Sequence, residues 1–141
     1  MPPNAPVSPA MSARVIHGSL VLGIVLFWLV AGFLGGDMAQ PVSQLPDRRV
    51  LYIALFLVSA VLFGAAVYTA GGFTPGRSGT SQDDWWRVNL GRAVIVWALI
   101  EAPALLGTVA YLLTRDFRAL IAPFTGLLFF ANYRPRKLAE R

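Results

Sequence analysis

The stretch WALIEAPALL, residues 97–106, sets a carboxylate, Glu101, among apolar side chains, with Pro103 two residues on and Thr108 seven on. At the centre of a bilayer an ionised carboxylate costs about 2.5–3.5 kcal/mol even on the milder insertion scales. The neutral acid costs far less, because burial penalises the charged form. A carboxyl group so placed suits two tasks: carrying a proton or ion, or hydrogen-bonding a partner helix. Pro103 has no N–H, so the Leu99 carbonyl loses its helical donor. A protonated Glu101 or a neighbouring helix is a donor that could replace it. Ala98, Ala104 and Thr108 are small residues near Glu101 and permit close helix contact. Arg92 lies about 13 Å along the same helix and is out of reach. Glu101, Pro103 and Thr108 are therefore the candidate ion, proton or partner contacts.

His17 is the only histidine, and Gly18 and Ser19 follow it. Small neighbours let a tetrapyrrole lie against a helix, so His17 is a candidate ligand contact, as an axial ligand or a proton relay. The ordinary alternative is a hydrated ring at the membrane interface. A bis-histidine haem needs a second histidine in the chain, and there is none. The absence of cysteine excludes disulfides, thiolate metal sites and cysteine nucleophiles together. No metal site is predicted. Ser59 has no base nearby, and no glycine-rich phosphate loop opens a helix. Asp83 and Asp84 fit a helix start, where negative charge is favourable. With no catalytic pair, the chain is not expected to be an enzyme, and the sequence names no cofactor.

These residues sit in a chain built for an apolar solvent. Of 141 residues 56% are hydrophobic and only 13% charged, where a soluble domain carries about a quarter. Too few polar residues remain to coat a globule in water. The net charge of +5 comes from basic residues that flank apolar runs and form no basic domain. Lipid headgroups are the expected partner, and nucleic acid is not.

Four apolar segments are predicted to span the bilayer, giving an all-α integral membrane protein with a bundle of about four helices. They are residues 15–34, 50–69, 93–113 and 119–133. The first matches the length of about 20 residues that crosses the hydrocarbon. It is too long for the apolar core of a signal peptide, about 7–15 residues. Ser81 and Asp84 resemble a helix cap, so the third helix is predicted to start near Ser81, ahead of its apolar portion. The fourth covers only about 22 Å, is interrupted by Pro123 and Gly126, and is short enough to be a broken helix. Residues 1–13 hold four prolines and no acidic residue, and are read as a disordered cytoplasmic segment, with Met11 an alternative start. Residues 14–133 form one transmembrane domain, and 134–141 a basic cytoplasmic tail. The glycine- and serine-rich run at 70–82 is read as an exposed, flexible loop.

With four spans, Arg14, Arg77, Arg87, Arg92, Arg134, Arg136, Lys137 and Arg141 share one side. Arg48, Arg49, Arg115 and Arg118 share the other. The positive-inside rule places both termini in the cytoplasm, with a bacterial inner membrane the expected location. Trp85, Trp86, Arg134, Arg136 and Lys137 are the expected interface anchors: tryptophan suits headgroup depth, and basic residues attract anionic lipid.

The segment LGRAVIVWALIEAPALLGTVAYLL, residues 90–113, resembles the ion-binding helix of the rotary ATP synthase c subunit. That helix carries an A-x-x-E-A type motif after a basic cytoplasmic loop. The resemblance implies that Glu101 occupies the ion-carrying position and that the 70–92 loop faces the rotor. It covers these residues alone. The second span offers Gly64 but not the closely spaced glycines of the c-subunit partner helix, and the first and fourth have no counterpart in a two-helix hairpin.

Two functions follow as expectations. One is a small, non-catalytic, multi-pass subunit or accessory factor of a larger membrane complex, packed against other subunits or copies of itself. The other is a proton- or ion-translocating protein that uses Glu101.

Overall fold

The computed structural model describes residues 8–34, 48–74 and 81–139. Those residues are all-helical: α1 (Pro9–Leu34), α2 (Arg48–Ala70), α3 (Gln82–Thr114), a 3-10 turn (Phe117–Leu120), α4 (Ile121–Asn132) and α5 (Pro135–Ala139). Residues 1–7, 75–80 and 140–141, on which the expected disordered start, part of the flexible loop and the tail's end fall, lie outside the described residues. So do residues 35–47.

Three helices, α1, α2 and α3, are long and apolar enough to cross a membrane, and a shorter apolar segment follows them. α3 is the axis of the bundle. α1, α2 and α4 each pack along it, while α1 and α2 make almost no contact with each other. Half of the most apolar stretch of α3 is buried, against about a tenth of the corresponding stretches of α1 and α2.

Cross-contacts fix the directions. Ala10 meets Asp83 near the starts of α1 and α3, and Arg115, just past α3, meets Ala31 near the end of α1, so the two run parallel. Tyr52 meets Thr114 and Thr74 meets Asn89, so α2 runs antiparallel to α3. α4 is antiparallel as well, with Ala122 against Gly107 and Tyr133 against Trp97. The described basic residues 14, 87, 92, 134, 136 and 137 thus gather at one end of the bundle, and Arg49, Arg115 and Arg118 at the other.

Helix ends follow from local chemistry. Ser81 caps α3: its Oγ accepts the Asp84 N–H at 3.1 Å and donates to the Asp84 carboxylate at 2.6 Å. This is the start expected from the sequence, eleven residues ahead of the apolar portion. α1 starts earlier than expected, at Pro9, so residues 9–13 are helical. Proline is at home in a first turn, where its missing N–H has no helical partner. Ser8 Oγ accepts the Met11 N–H at 3.2 Å, and Asp83 accepts the Ala10 N–H at 3.2 Å. One acidic residue of α3 thereby helps start α1.

α3 ends at Arg115, which has φ 56° and donates its N–H to the Tyr111 carbonyl at 2.8 Å. That left-handed close of a helix usually falls to glycine. Arginine is held there by its side chain: Nη1 donates to the Ala31 carbonyl at 3.3 Å, and the guanidinium lies 5.5 Å from the Tyr111 ring centre.

The fourth segment does not break at Pro123 or Gly126. Pro123 falls in the first turn of α4, where a missing N–H removes little. Gly126 lets the helix close on α3: a Cβ there would stand 2.8 Å from the Ala104 Cβ. Gly107 makes the reciprocal approach from α3, where a Cβ would meet Ala122 and Pro123 at 2.7 Å and the Ala119 carbonyl at 2.8 Å. The basic tail is not simply an extension either. Residues 135–139 form α5, whose Leu138 is fully buried against the bundle while Arg134, Arg136 and Lys137 stay exposed.

Candidate functional site

Glu101 lies on the α3 face turned toward α1. A Cβ on Gly23 would stand 3.9 Å from its Oε1, an ordinary contact distance, so the carboxyl group lies against the middle of α1. The side chain is half-buried, at the edge of the α1–α3 seam. It makes no hydrogen bond or ion pair among the described residues. Next to it on α3 runs an exposed apolar strip that includes Ile95, Leu106 and Val109.

An aromatic layer closes the seam one turn nearer the α3 start. Trp97 is fully buried and donates its indole N–H to the Tyr133 carbonyl at 2.9 Å. His17 packs edge-on to Trp97 and Phe130, with ring centres 5.2 and 5.4 Å away. Its Nε2 is 3.1 Å from the Phe130 carbonyl, which makes that nitrogen the donor. The expectation for His17 was a ligand contact or a hydrated interfacial ring, and the structure adds a packing role. With one nitrogen committed to α4 and two rings against it, His17 ties three helices together.

The other expected contacts separate. Pro103 is buried, but two residues from Glu101 means about 200° around the helix, so it faces away from the carboxylate. Thr108 is fully buried and shares the side of α3 that carries Glu101. Its hydroxyl, however, donates to the Ala104 carbonyl of its own helix at 3.0 Å. The structure therefore does not assemble Glu101, Pro103 and Thr108 into one site.

Trp85 and Trp86 are corrected as well. Expected as outward-facing anchors, they are 7% and 1% exposed and belong to the core. Trp85 donates its indole N–H to the Thr74 carbonyl at 2.8 Å, and the Trp86 ring lies between Trp85 and Trp97. A tryptophan whose N–H finds a carbonyl inside the protein no longer needs the headgroups. Of the expected anchors, Arg134, Arg136 and Lys137 are the exposed ones.

Ser59, set aside in the sequence for want of a base, stands apart in the structure. It is buried, its Oγ has no hydrogen-bond partner, and it lines a groove of about 740 Å³ between α2 and the α4 side. Only the unbroken hydropathy of α2 was legible beforehand, and a serine in an apolar run carries no sign of its partner.

No group of three metal-ligating side chains exists among the described residues. The carboxyl of Glu101 can hold a proton or accept a hydrogen bond, but no second acid, base or nucleophile stands beside it. The class so defined is an all-helical bundle around an internal helix, with a lone carboxyl group at the bundle's flank. Comparison with protein-family models, with known proteins and with solved structures finds no match for this chain.

Proposed function

We propose that the chain is an integral membrane protein, with both termini cytoplasmic, that acts as a non-catalytic subunit of a larger membrane assembly. In this reading the α1–α3 seam is the docking face and Glu101 its specific contact. One observation carries the proposal: the half-buried carboxyl group of Glu101, midway along α3 and opposite Gly23 of α1, has no partner among the described residues. A carboxyl facing hydrocarbon is costly, and a donor on an adjacent helix removes that cost. The exposed apolar strip beside Glu101 gives such a helix a surface to lie on. Crowding of most described basic residues at the end holding α5 supports the orientation.

The test is purification of the tagged chain from its own membranes in mild detergent, with native mass and identification of everything that co-elutes. A stoichiometric partner is expected with the wild type and with Glu101→Gln, which keeps a hydrogen-bonding side chain. The partner is expected to be lost with Glu101→Leu at unchanged unfolding midpoint. A wild-type chain that elutes alone, or as copies of itself only, defeats the subunit reading. Weight then moves to transport, where Glu101→Gln abolishes proton or ion flux in vesicles.

A further inference from the structure

The groove lined by Ser59 has two chemically different ends. Along most of its length it is hydrocarbon, with Leu55, Phe56, Ala60 and Phe63 of α2 facing Ile121 and Ala122 of α4. At its mouth stand Arg49, Tyr52, Asp116 and Arg118. The far end lies where Phe63 stacks on Phe129, ring centres 4.8 Å apart. From Arg49 to Phe63 the groove follows α2 for about 21 Å. That exceeds the hydrocarbon depth of one leaflet, about 15 Å. Its volume of about 740 Å³ falls within the range of small-molecule sites, roughly 300–1,000 Å³.

Two guanidinium groups at one end of a long apolar slot complement one shape of molecule, an anion with a hydrocarbon tail. Arg118 is exposed and its side chain makes no ion pair among the described residues. Asp116 accepts the Arg118 backbone N–H at 2.9 Å, and both it and Arg49 make further contacts; two guanidinium groups against one carboxylate still leave the mouth with a net positive charge. Arginine suits a phosphate better than lysine does, because its planar fork can donate two parallel hydrogen bonds.

We propose that this groove is a binding site for an anionic phospholipid. Its phosphate lies between Arg49 and Arg118, and one acyl chain runs along α2 past Ala60 toward Phe63. The site lies on the flank opposite the α1–α3 seam and is independent of docking at Glu101. It rests only on the reading that the chain sits in a bilayer.

Native mass spectrometry of the purified full chain tests it, with palmitoyl-oleoyl phosphatidylglycerol and the phosphatidylcholine of the same chains as probes. One phosphatidylglycerol adduct per chain is expected. Its preference over phosphatidylcholine should be about five- to thirtyfold, the gain expected for one or two basic residues at an anionic headgroup. Arg49→Gln with Arg118→Gln should erase the preference while leaving weak uptake of both lipids. Ala60→Phe, at an exposed position lining the groove, should remove the adduct for both. Ser59→Ala should change neither result.

Equal uptake of the two lipids by the wild type overturns the proposal, as does an undiminished adduct in Ala60→Phe. A dimer that Ala60→Phe dissociates assigns the groove to a second copy, and overturns it too. Loss of binding in Ser59→Ala would put a polar head at mid-groove, contrary to the orientation proposed. The bilayer reading fails separately, if alkaline carbonate releases the chain from its own membranes.

Discussion

Replacing Gly107 with alanine tests the closest approach in the bundle. An added Cβ would stand 2.7 Å from Ala122 Cβ, 2.7 Å from Pro123 Cδ and 2.8 Å from the Ala119 carbonyl oxygen. Carbon atoms in contact prefer about 3.5–4.0 Å, so the two carbon contacts are short by roughly an ångström. Neither the proline ring nor the carbonyl can rotate away, and the remaining relief is movement of α4 off α3. That movement stretches the Trp97–Tyr133 and His17–Phe130 hydrogen bonds, now 2.9 and 3.1 Å. Overpacking of this kind costs about 1–3 kcal/mol, and the rigid neighbours put Gly107→Ala at the upper end, about 3 kcal/mol. Gly64→Ala is the matched control, since a Cβ there meets nothing within 4 Å. It should be neutral or gain up to about 1 kcal/mol from helix propensity. Reversible unfolding in a mixed-micelle SDS titration, followed by circular dichroism, reads both changes. Adding Ala122→Gly to Gly107→Ala removes one of the three collisions and should restore only part of the loss. If Gly107→Ala were as stable as Gly64→Ala, the α3–α4 contact described above would be wrong.

Two further substitutions follow from the same contacts. His17→Ala removes a hydrogen bond worth about 1 kcal/mol and two aromatic edge contacts of about 0.5–1.5 kcal/mol each. It should lower stability by about 2–4 kcal/mol in that titration, and an unchanged midpoint would remove His17 from the interhelical tie. At Arg115 the backbone favours glycine and the side chain favours arginine. Arg115→Gly and Arg115→Ala both lose the Ala31 and Tyr111 contacts, but only alanine also bears the left-handed backbone, φ 56°, at about 1 kcal/mol more. Equal midpoints for the two variants would contradict that backbone.

The elements were legible because their signals are local. Runs of apolar residues located α1, α2 and α3, and the Ser81–Asp84 spacing located the cap that starts α3. The arrangement was not legible, because hydropathy did not rank the helices by burial. The helix that became the axis, α3, is the least apolar of the three long ones. The most apolar helix would be sought at the centre, whereas here the two most apolar helices, α1 and α2, are the more exposed. Trp85 and Trp86 were misplaced for a related reason: an indole is satisfied equally by a headgroup or by a carbonyl such as that of Thr74, and the sequence does not say which is near. Pro103 and Glu101 share a short stretch of chain but opposite faces. Small residues such as Ala104 showed that helices could approach, but not that Gly107 and Gly126 would meet α4 and α3 respectively. Glu101 itself was legible as a lone carboxyl group, while Gly23, the α1 residue it lies against, is 78 positions earlier in the chain.

That α1 and α2 lean on α3 and hardly on each other has a consequence for the newborn chain. Ribosomal synthesis delivers the two outer helices first, and neither has a companion to settle against when it leaves the exit tunnel. The hydrogen bonds from Ala10 to Asp83 and from Arg115 to Ala31 wait for residues made later, and Trp97 waits longer still for Tyr133. The two earlier helices therefore find the surface they pack on only once α3, residues 82–114, has been made. Formation of these contacts has to follow synthesis of the C-terminal half of the chain.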